Sequence, residues 1–242
     1  MDTANIKLKK KDIMLLDIGS ELSKYYSHAA YFIDSLVVSR APILENMVRQ
    51  GVPDKQISDF ASDEISKLPR SSGTHDYTIL KNCPPNKLNL IDRFARETYR
   101  YEEDIPVFNW ELKDDTVTVC GYLCKKATTT FRGRDYEAWY APQIPIPLGP
   151  WKFAGLPGLI LRIKDVKNMF FFVCTHMTKP EDTRLIKSDN IYSRAFMVDK
   201  SKYNKEKQKF MNNPGSVVIS GPKPSANYLK KRPFNPIELT EK

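Results

Sequence analysis

Residues 123–140 read LCKKATTTFRGRDYEAWY. Two runs rich in threonine, alanine and aromatic residues flank Arg132-Gly133. A glycine there supplies the positive φ that a two-residue hairpin turn requires. The stretch therefore predicts two antiparallel strands, Leu123–Phe131 and Asp135–Tyr140. Working back toward the N-terminus, Tyr77–Leu80, Leu88–Asp92, Thr98–Tyr101, Asn109–Leu112 and Thr116–Cys120 also read as short strands. Turn-formers such as Cys83-Pro84-Pro85-Asn86 separate them. Closely spaced strands joined by short turns predict an antiparallel meander rather than βαβ units.

Downstream, residues 151–163 read WKFAGLPGLILRI. Leu156-Pro157-Gly158-Leu159 fits a type II turn, with proline presetting one φ and glycine taking the left-handed position. Gly155 invites the close approach of a ring, with Trp151 or Phe153 nearest in sequence. Leu159–Ile163 and Met169–Thr175 are almost wholly apolar, which predicts a pair of central strands covered on both faces.

Ile13–Ile18 is a further apolar strand. A helical stripe of Ile33, Leu36, Val37, Ile43, Leu44 and Met47 runs from Ala29 to Gln50, and Pro42 is expected to interrupt or kink it. Pro53-Asp54 opens a second helix with Ile57, Phe60 and Ile65. A last helix is expected over 199–211. The expected class is thus α+β: a curved antiparallel meander with helices over about 29–65 and 199–211. Residues 1–212 form one domain, and 213–242 form a basic tail rich in proline and glycine.

The chain has 242 residues, 41% hydrophobic and 11% aromatic, enough for a sizeable core. No apolar run approaches the roughly 18 residues of a membrane helix. Met1-Asp2-Thr3-Ala4 leads to Lys9-Lys10-Lys11 without the apolar stretch of a secretion signal, so the protein is cytosolic or lacks its leader here. The net charge of +9 is concentrated late, with 14 Lys and Arg against 7 Asp and Glu from Lys179 onward. KSKYNKEKQK (200–209) is a single basic run without interleaved aromatics, which argues against a nucleic-acid groove. His28, His75 and His176 lie far apart and no zinc spacing or cofactor motif occurs, so neither a metal nor a cofactor is expected.

Cys83, Cys120, Cys124 and Cys174 are candidate disulfide partners. An extended strand would set the Cα atoms of Cys120 and Cys124 ~13 Å apart, whereas a disulfide needs roughly 4.4–6.8 Å. That pair can bridge only if the chain folds back at Gly121. Longer-range bridges or free buried thiols fit better.

Three groups of side chains are candidates for a site. Arg132 and Arg134 could clamp a carboxylate or phosphate, or form ion pairs between strands, such as Arg134 with Glu137 or Arg100 with Glu102. Tyr122, Trp139, Trp151, Phe153 and Leu156 could line an apolar pocket or fill the core. Glu102, Glu103 and Asp104 read as a solvated strand end. No nucleophile motif accompanies them, so an enzyme is not indicated.

The hexapeptide Gly155-Leu156-Pro157-Gly158-Leu159-Ile160 resembles the signature of the GLPGLI family of secreted or envelope-associated Bacteroidota proteins. Other blocks are similar in order: MLLDIG (14–19), SKYYS (23–27), YRYEE (99–103), WEL (110–112), GYLCKKAT (121–128), FRGR (131–134), AWY (138–140), Ile144-Pro145, GPWK (149–152) and FNPIEL (234–239). The layout is also similar to the curved sheets of LolA-like lipoprotein carriers. The resemblance implies a periplasmic or envelope location. It implies no settled activity. The function expected here is a binding or carrier protein for a lipid or peptide. The two alternatives are a structural or interaction partner of a TonB-dependent receptor system without a ligand pocket and, less favoured, an enzyme of unrecognised type. Two departures stand out: the family's leader is missing, and Ala154 stands where many relatives have cysteine.

Overall fold

The computed structural model describes residues 11–67, 77–94, 97–178, 195–213 and 237–238. The chain runs β1 (Met14–Ile18), β2 (Ser23–Ser27), α1 (His28–Arg49), α2 (Asp54–Ser66), β3 (Thr78–Lys81), β4 (Lys87–Phe94), β5 (Glu97–Asp104), β6 (Glu111–Val119), β7 (Tyr122–Phe131), β8 (Arg134–Ala141), β9 (Leu159–Asp165), β10 (Phe171–Val173), β11 (Phe196–Met197) and α3 (Lys200–Asn212). This is the expected α+β class, built from mostly antiparallel open sheets.

The strands form two sheets rather than one curved meander. The first has the order β1-β2-β3-β4-β5-β11 and the second β10-β9-β8-β7-β6. Among the described residues, only β11 pairs in parallel, alongside β5. The break falls between β5 and β6, where the chain passes through the non-strand residues 105–110. Arg132-Gly133 turns the β7–β8 hairpin, both residues with positive φ (44° and 80°), as that tight turn requires. The expected strands Asn109–Leu112 and Thr116–Cys120 merge into one strand, β6, which begins only at Glu111 and ends at Val119, and whose pairing with β7 is interrupted between Leu112 and Thr116. Ser23–Ser27, not foreseen as a strand, is β2, and all five of its residues are buried.

One core joins both sheets. Tyr25, Ile79, Leu90 and Tyr101 come from the first, Tyr136, Ala138 and Ile163 from the second, and Tyr203 and Phe210 from α3. The β8–β9 connection supplies Trp151, Phe153 and Leu156 at its centre. A smaller cluster of Val119, Cys124, Ala141, Leu159 and Leu161 lies apart from it. α3 begins on Asp199, whose carboxylate accepts from Lys202 N at 2.7 Å.

Several expectations are corrected. α1 continues through Pro42 without ending there. Much of the apolar surface of α1 stays in solvent: Ile43 is exposed, Val48 is 63% exposed, and Leu36, Leu44 and Met47 are half-buried. The side chains of Ile33, Val37 and Ile65 lie outside the described residues. β9 is central and buried, but β10 is an edge strand, with Phe171 and Val173 exposed. The ring beside Gly155 is that of Trp110, whose Nε1 donates to Ala154 O at 2.8 Å. Most of 213–242 lies outside the described residues; Ile237 and Glu238 pack against the second sheet.

The 156–159 segment is not a type II turn. Gly158 N donates to Leu156 O at 2.8 Å, a three-residue turn over Pro157, and Leu159 N donates instead to Ile144 O at 3.0 Å. Gly158 is required for space rather than for a left-handed backbone, since its φ of 159° is close to extended. A Cβ there would meet Ala141 O at 2.3 Å and Ala141 C at 2.7 Å. Gly121, with φ 83° and open space around its Cβ position, presents the opposite case. Gly158→Ala should therefore cost about 2–4 kcal/mol by displacing the β8 end, against about 1 kcal/mol for Gly121→Ala. Urea unfolding of the two variants measures the difference, and equal losses would refute the steric assignment.

Candidate functional site

Five charged side chains from five separate stretches meet beside the core. Glu103 comes from β5, Arg132 from the β7–β8 turn, Lys152 from the β8–β9 connection, Lys200 from the first turn of α3, and Glu238 from near the C-terminus. Lys152 is 1% exposed and pairs with Glu103 and, at 2.6 Å, with Glu238. Its Nζ also hydrogen-bonds the Tyr101 hydroxyl at 2.9 Å. Arg132 Nη2 donates to Glu103 Oε2 at 3.0 Å, and its Nη1 lies 2.7 Å from Glu238 Oε2 without hydrogen-bond alignment. Lys200 reaches Glu103 at 3.0 Å and also pairs with Glu238. Three cations thus enclose two carboxylates.

Local structure explains the convergence. Along β5, alternation puts Glu103 on the same face as Tyr101, pointing inward, while Glu102 points out. Arg132 and Trp151 both adopt left-handed backbone conformations, with φ 44° and 51°. Such conformations cost roughly 1–2 kcal/mol each for non-glycine residues and persist where packing enforces them. Phe131 stacks under the Arg132 guanidinium at 4.8 Å, and Trp151 and Tyr101 flank the Lys152 ammonium at 5.2 Å each.

The electrostatics follow from burial and pairing. Burial alone would raise the Glu103 carboxyl, but Lys152 and Lys200 outweigh it and hold the pKa down to about 2. Glu238 is lowered in the same way, against its own burial, by the same two cations. Burial lowers Lys152, although Glu238 and Glu103 oppose the shift. Glu103 is therefore ionised across the whole physiological range. The expectation of a solvated acidic strand end holds for Glu102 and Asp104, which are exposed, and fails for Glu103.

A second group continues the site. Arg134 Nε donates to Ile237 O at 3.1 Å, and the Tyr136 hydroxyl donates to the same oxygen at 3.0 Å. Arg134 also lies 3.5 Å from Asp165, which accepts from Phe170 N. Glu137 pairs instead with Lys164, directly across the β8–β9 ladder. Arg100 Nε meets Met197 Sδ at 3.4 Å. The strand-pair alternatives Arg134–Glu137 and Arg100–Glu102 thus give way to different partners.

The aromatic candidates do not converge on one pocket. Trp151, Phe153 and Leu156 fill the main core, whereas Tyr122 and Trp139 border the smaller cluster, with Lys126 over the Trp139 ring at 5.7 Å. All four cysteines are thiols: Cys83 in the β3–β4 turn region, and Cys120, Cys124 and Cys174 around the smaller cluster. The sequence reading missed Lys81, Lys152, Lys200 and Glu238. Strand periodicity could have found Lys81, which lies two residues beyond the buried Ile79. Lys200 and Glu238 carry no such signal.

Lys81 is 3% exposed and donates to Gly149 O at 3.1 Å and Phe153 O at 2.8 Å. Burial lowers its pKa to about 7. Two carbonyls match the two N–H bonds of a neutral amine. Asp92, 1% exposed, accepts from Tyr203 and Lys207, each at 2.7 Å, and so ties α3 to β4.

A family model described as a protein of unknown function (Porph_ging) matches residues 132–162. That span begins at Arg132 and contains Arg134, Trp139, Lys152 and the Gly155–Ile160 hexapeptide. No curated protein matches the chain. Among solved structures, two crystal forms of PNGF-II are similar. The first has a TM-score of 0.49 and 10% identity over 82% of this chain. The second has a TM-score of 0.46 and 12% identity over 81%. This chain spans about 30% of the length of each. No helix among the described residues is long and apolar enough to cross a membrane.

Two pH dependences follow. Because Glu103 titrates near 2 in the folded state and near 4.5 unfolded, its contribution is complete above pH 4.5. It is lost as the pH falls toward 2, up to about 3 kcal/mol. Urea midpoints of wild type and Glu103→Gln should converge as pH drops from 6 to 3, and a constant gap would contradict the pairing. Lys81 has the same sign in a higher window: the folded state binds its proton less readily, so stability also rises with pH between about pH 7 and 10. Lys81→Met should flatten that rise.

Proposed function

We propose that this protein is a binding module of the bacterial cell envelope that captures an extended, carboxylate-bearing peptide segment. The observation that carries the reading is the seating of Ile237 and Glu238. Arg134 and Tyr136 grip a backbone carbonyl, while Arg132, Lys152 and Lys200 enclose the next side chain's carboxylate. Contacts to one carbonyl and one carboxylate are the elements of peptide recognition by an anion-binding clamp. The chain's own C-terminal segment occupies the position that a partner's segment takes.

A periplasmic or outer-membrane-associated location rests on the GLPGLI resemblance. Its hexapeptide packs into the connection that carries Lys152. A peptide fits the site better than a lipid, because Trp151 and Phe153 are committed to the core. The second reading is an interaction or structural protein, for example beside a TonB-dependent receptor, in which Glu238 is a permanent internal lock. The complete enclosure of Glu238 by its own chain favours it.

The test uses the full chain carrying Glu238→Ala and a fluorescent peptide of residues 234–239. Anisotropy titration should show the variant binding at least tenfold more tightly than wild type, a difference of about 1.4 kcal/mol. Adding Arg132→Ala should abolish it. If a folded Glu238→Ala protein binds the peptide no better than wild type, the internal-lock reading replaces peptide capture.

A further inference from the structure

The smaller cluster holds three of the four cysteines. Cys124 is fully buried on β7, and Cys120 and Cys174 pack against the same apolar group, both partly accessible. Cys120 and Gly121 form the β6–β7 turn, with φ 51° and 83°. Cys174 follows β10 directly, and its N–H donates to Leu161 O at 2.7 Å. The backbone is therefore fixed on both sides; the Cys174 thiol donates to His176 O at 3.4 Å, and it shares the cluster with the Cys120 thiol, which influences its titration. Although the chain folds back at Gly121, Cys124 lies opposite Val117. That is three rungs from the turn, roughly 10 Å at ~3.3 Å per residue and beyond disulfide range.

We propose that Cys120 and Cys174 are a disulfide-forming pair that staples the β6–β7 turn to the β10 edge of the second sheet. The oxidant is a small-molecule or protein disulfide, represented here by oxidised glutathione. One cysteine thiolate attacks a glutathione sulfur, breaks the glutathione S–S bond and expels the first glutathione thiolate. The other cysteine thiolate then attacks that mixed disulfide and displaces the second glutathione thiolate. The two protein sulfurs give up two electrons and their protons, and the two glutathione sulfurs gain them. Burial, together with the influence of Cys120, raises the Cys174 thiol to about 11, so oxidation accelerates with pH. Cys124, enclosed in the cluster, stays reduced.

The experiment incubates the full chain with oxidised glutathione at pH 8, then denatures it, alkylates free thiols and maps peptides by mass. Two of the four thiols should be protected, in one crosslinked peptide pair containing Cys120 and Cys174. Tm should rise by roughly 5–10 °C on oxidation. Cys174→Ser should keep the Tm of the reduced protein and lose the rise. Four alkylated thiols, a crosslink containing Cys83 or Cys124, or glutathione adducts without an internal crosslink would each overturn the assignment.

Discussion

The buried ammonium of Lys152 is the constraint on which the rest of the structure depends. An isolated charge at that depth would cost many kcal/mol in lost hydration. It is tolerated because Glu103, Glu238 and the Tyr101 hydroxyl meet it together. Those carboxylates would repel one another without Arg132 and Lys200. Each member is thus conditional on the others. The cluster fixes β5, the β7–β8 turn, the β8–β9 connection, α3 and the C-terminal segment in one arrangement. Removing one partner leaves the remainder buried and unpaired, which typically costs 3–5 kcal/mol.

The same arrangement decides what chemistry the locus can perform. A carboxylate ionised down to about pH 2 is a poor general acid near neutrality and a weak base. Three cations around two carboxylates leave an excess of positive charge. Without Glu238 that excess would increase, and an anionic group of the same size would be attracted to the vacancy. The proposed recognition of a carboxylate rests on this charge distribution rather than on proton transfer.

The β8–β9 connection is clamped from two sides. Lys81 donates to the carbonyls of Gly149 and Phe153, and Lys152, one residue before Phe153, enters the charge cluster. Trp151 between them takes a left-handed backbone and is 2% exposed. Glycines 149 and 158 serve close packing here: a Cβ at Gly149 would lie 2.8 Å from Ile160 Cβ. The hexapeptide is therefore a packing device that seats the lysine-bearing loop, rather than a ligand contact.

Much of the architecture was legible because its causes are local. The Arg132-Gly133 turn, the strands beside it and the last helix, starting on Asp199, follow from alternation, positive φ and capping, which act over a few residues. Pro42 does not end α1, because an exposed helix can lose one hydrogen bond to solvent and continue. The division into two sheets was not legible, since β5 and β6 differ in partner rather than in composition. Of the site, Arg132 and Arg134 were visible as cations able to clamp a carboxylate or phosphate or to form ion pairs, but the carboxylates they pair with, Glu103, Glu238 and Asp165, were not. By itself the sequence determined an antiparallel α+β fold, the hairpin and the apolar content of the core. Only the tertiary structure decided which charges are buried together. Residues from 103 to 238 come into contact through long-range packing, and no local pattern encodes which partner compensates which charge.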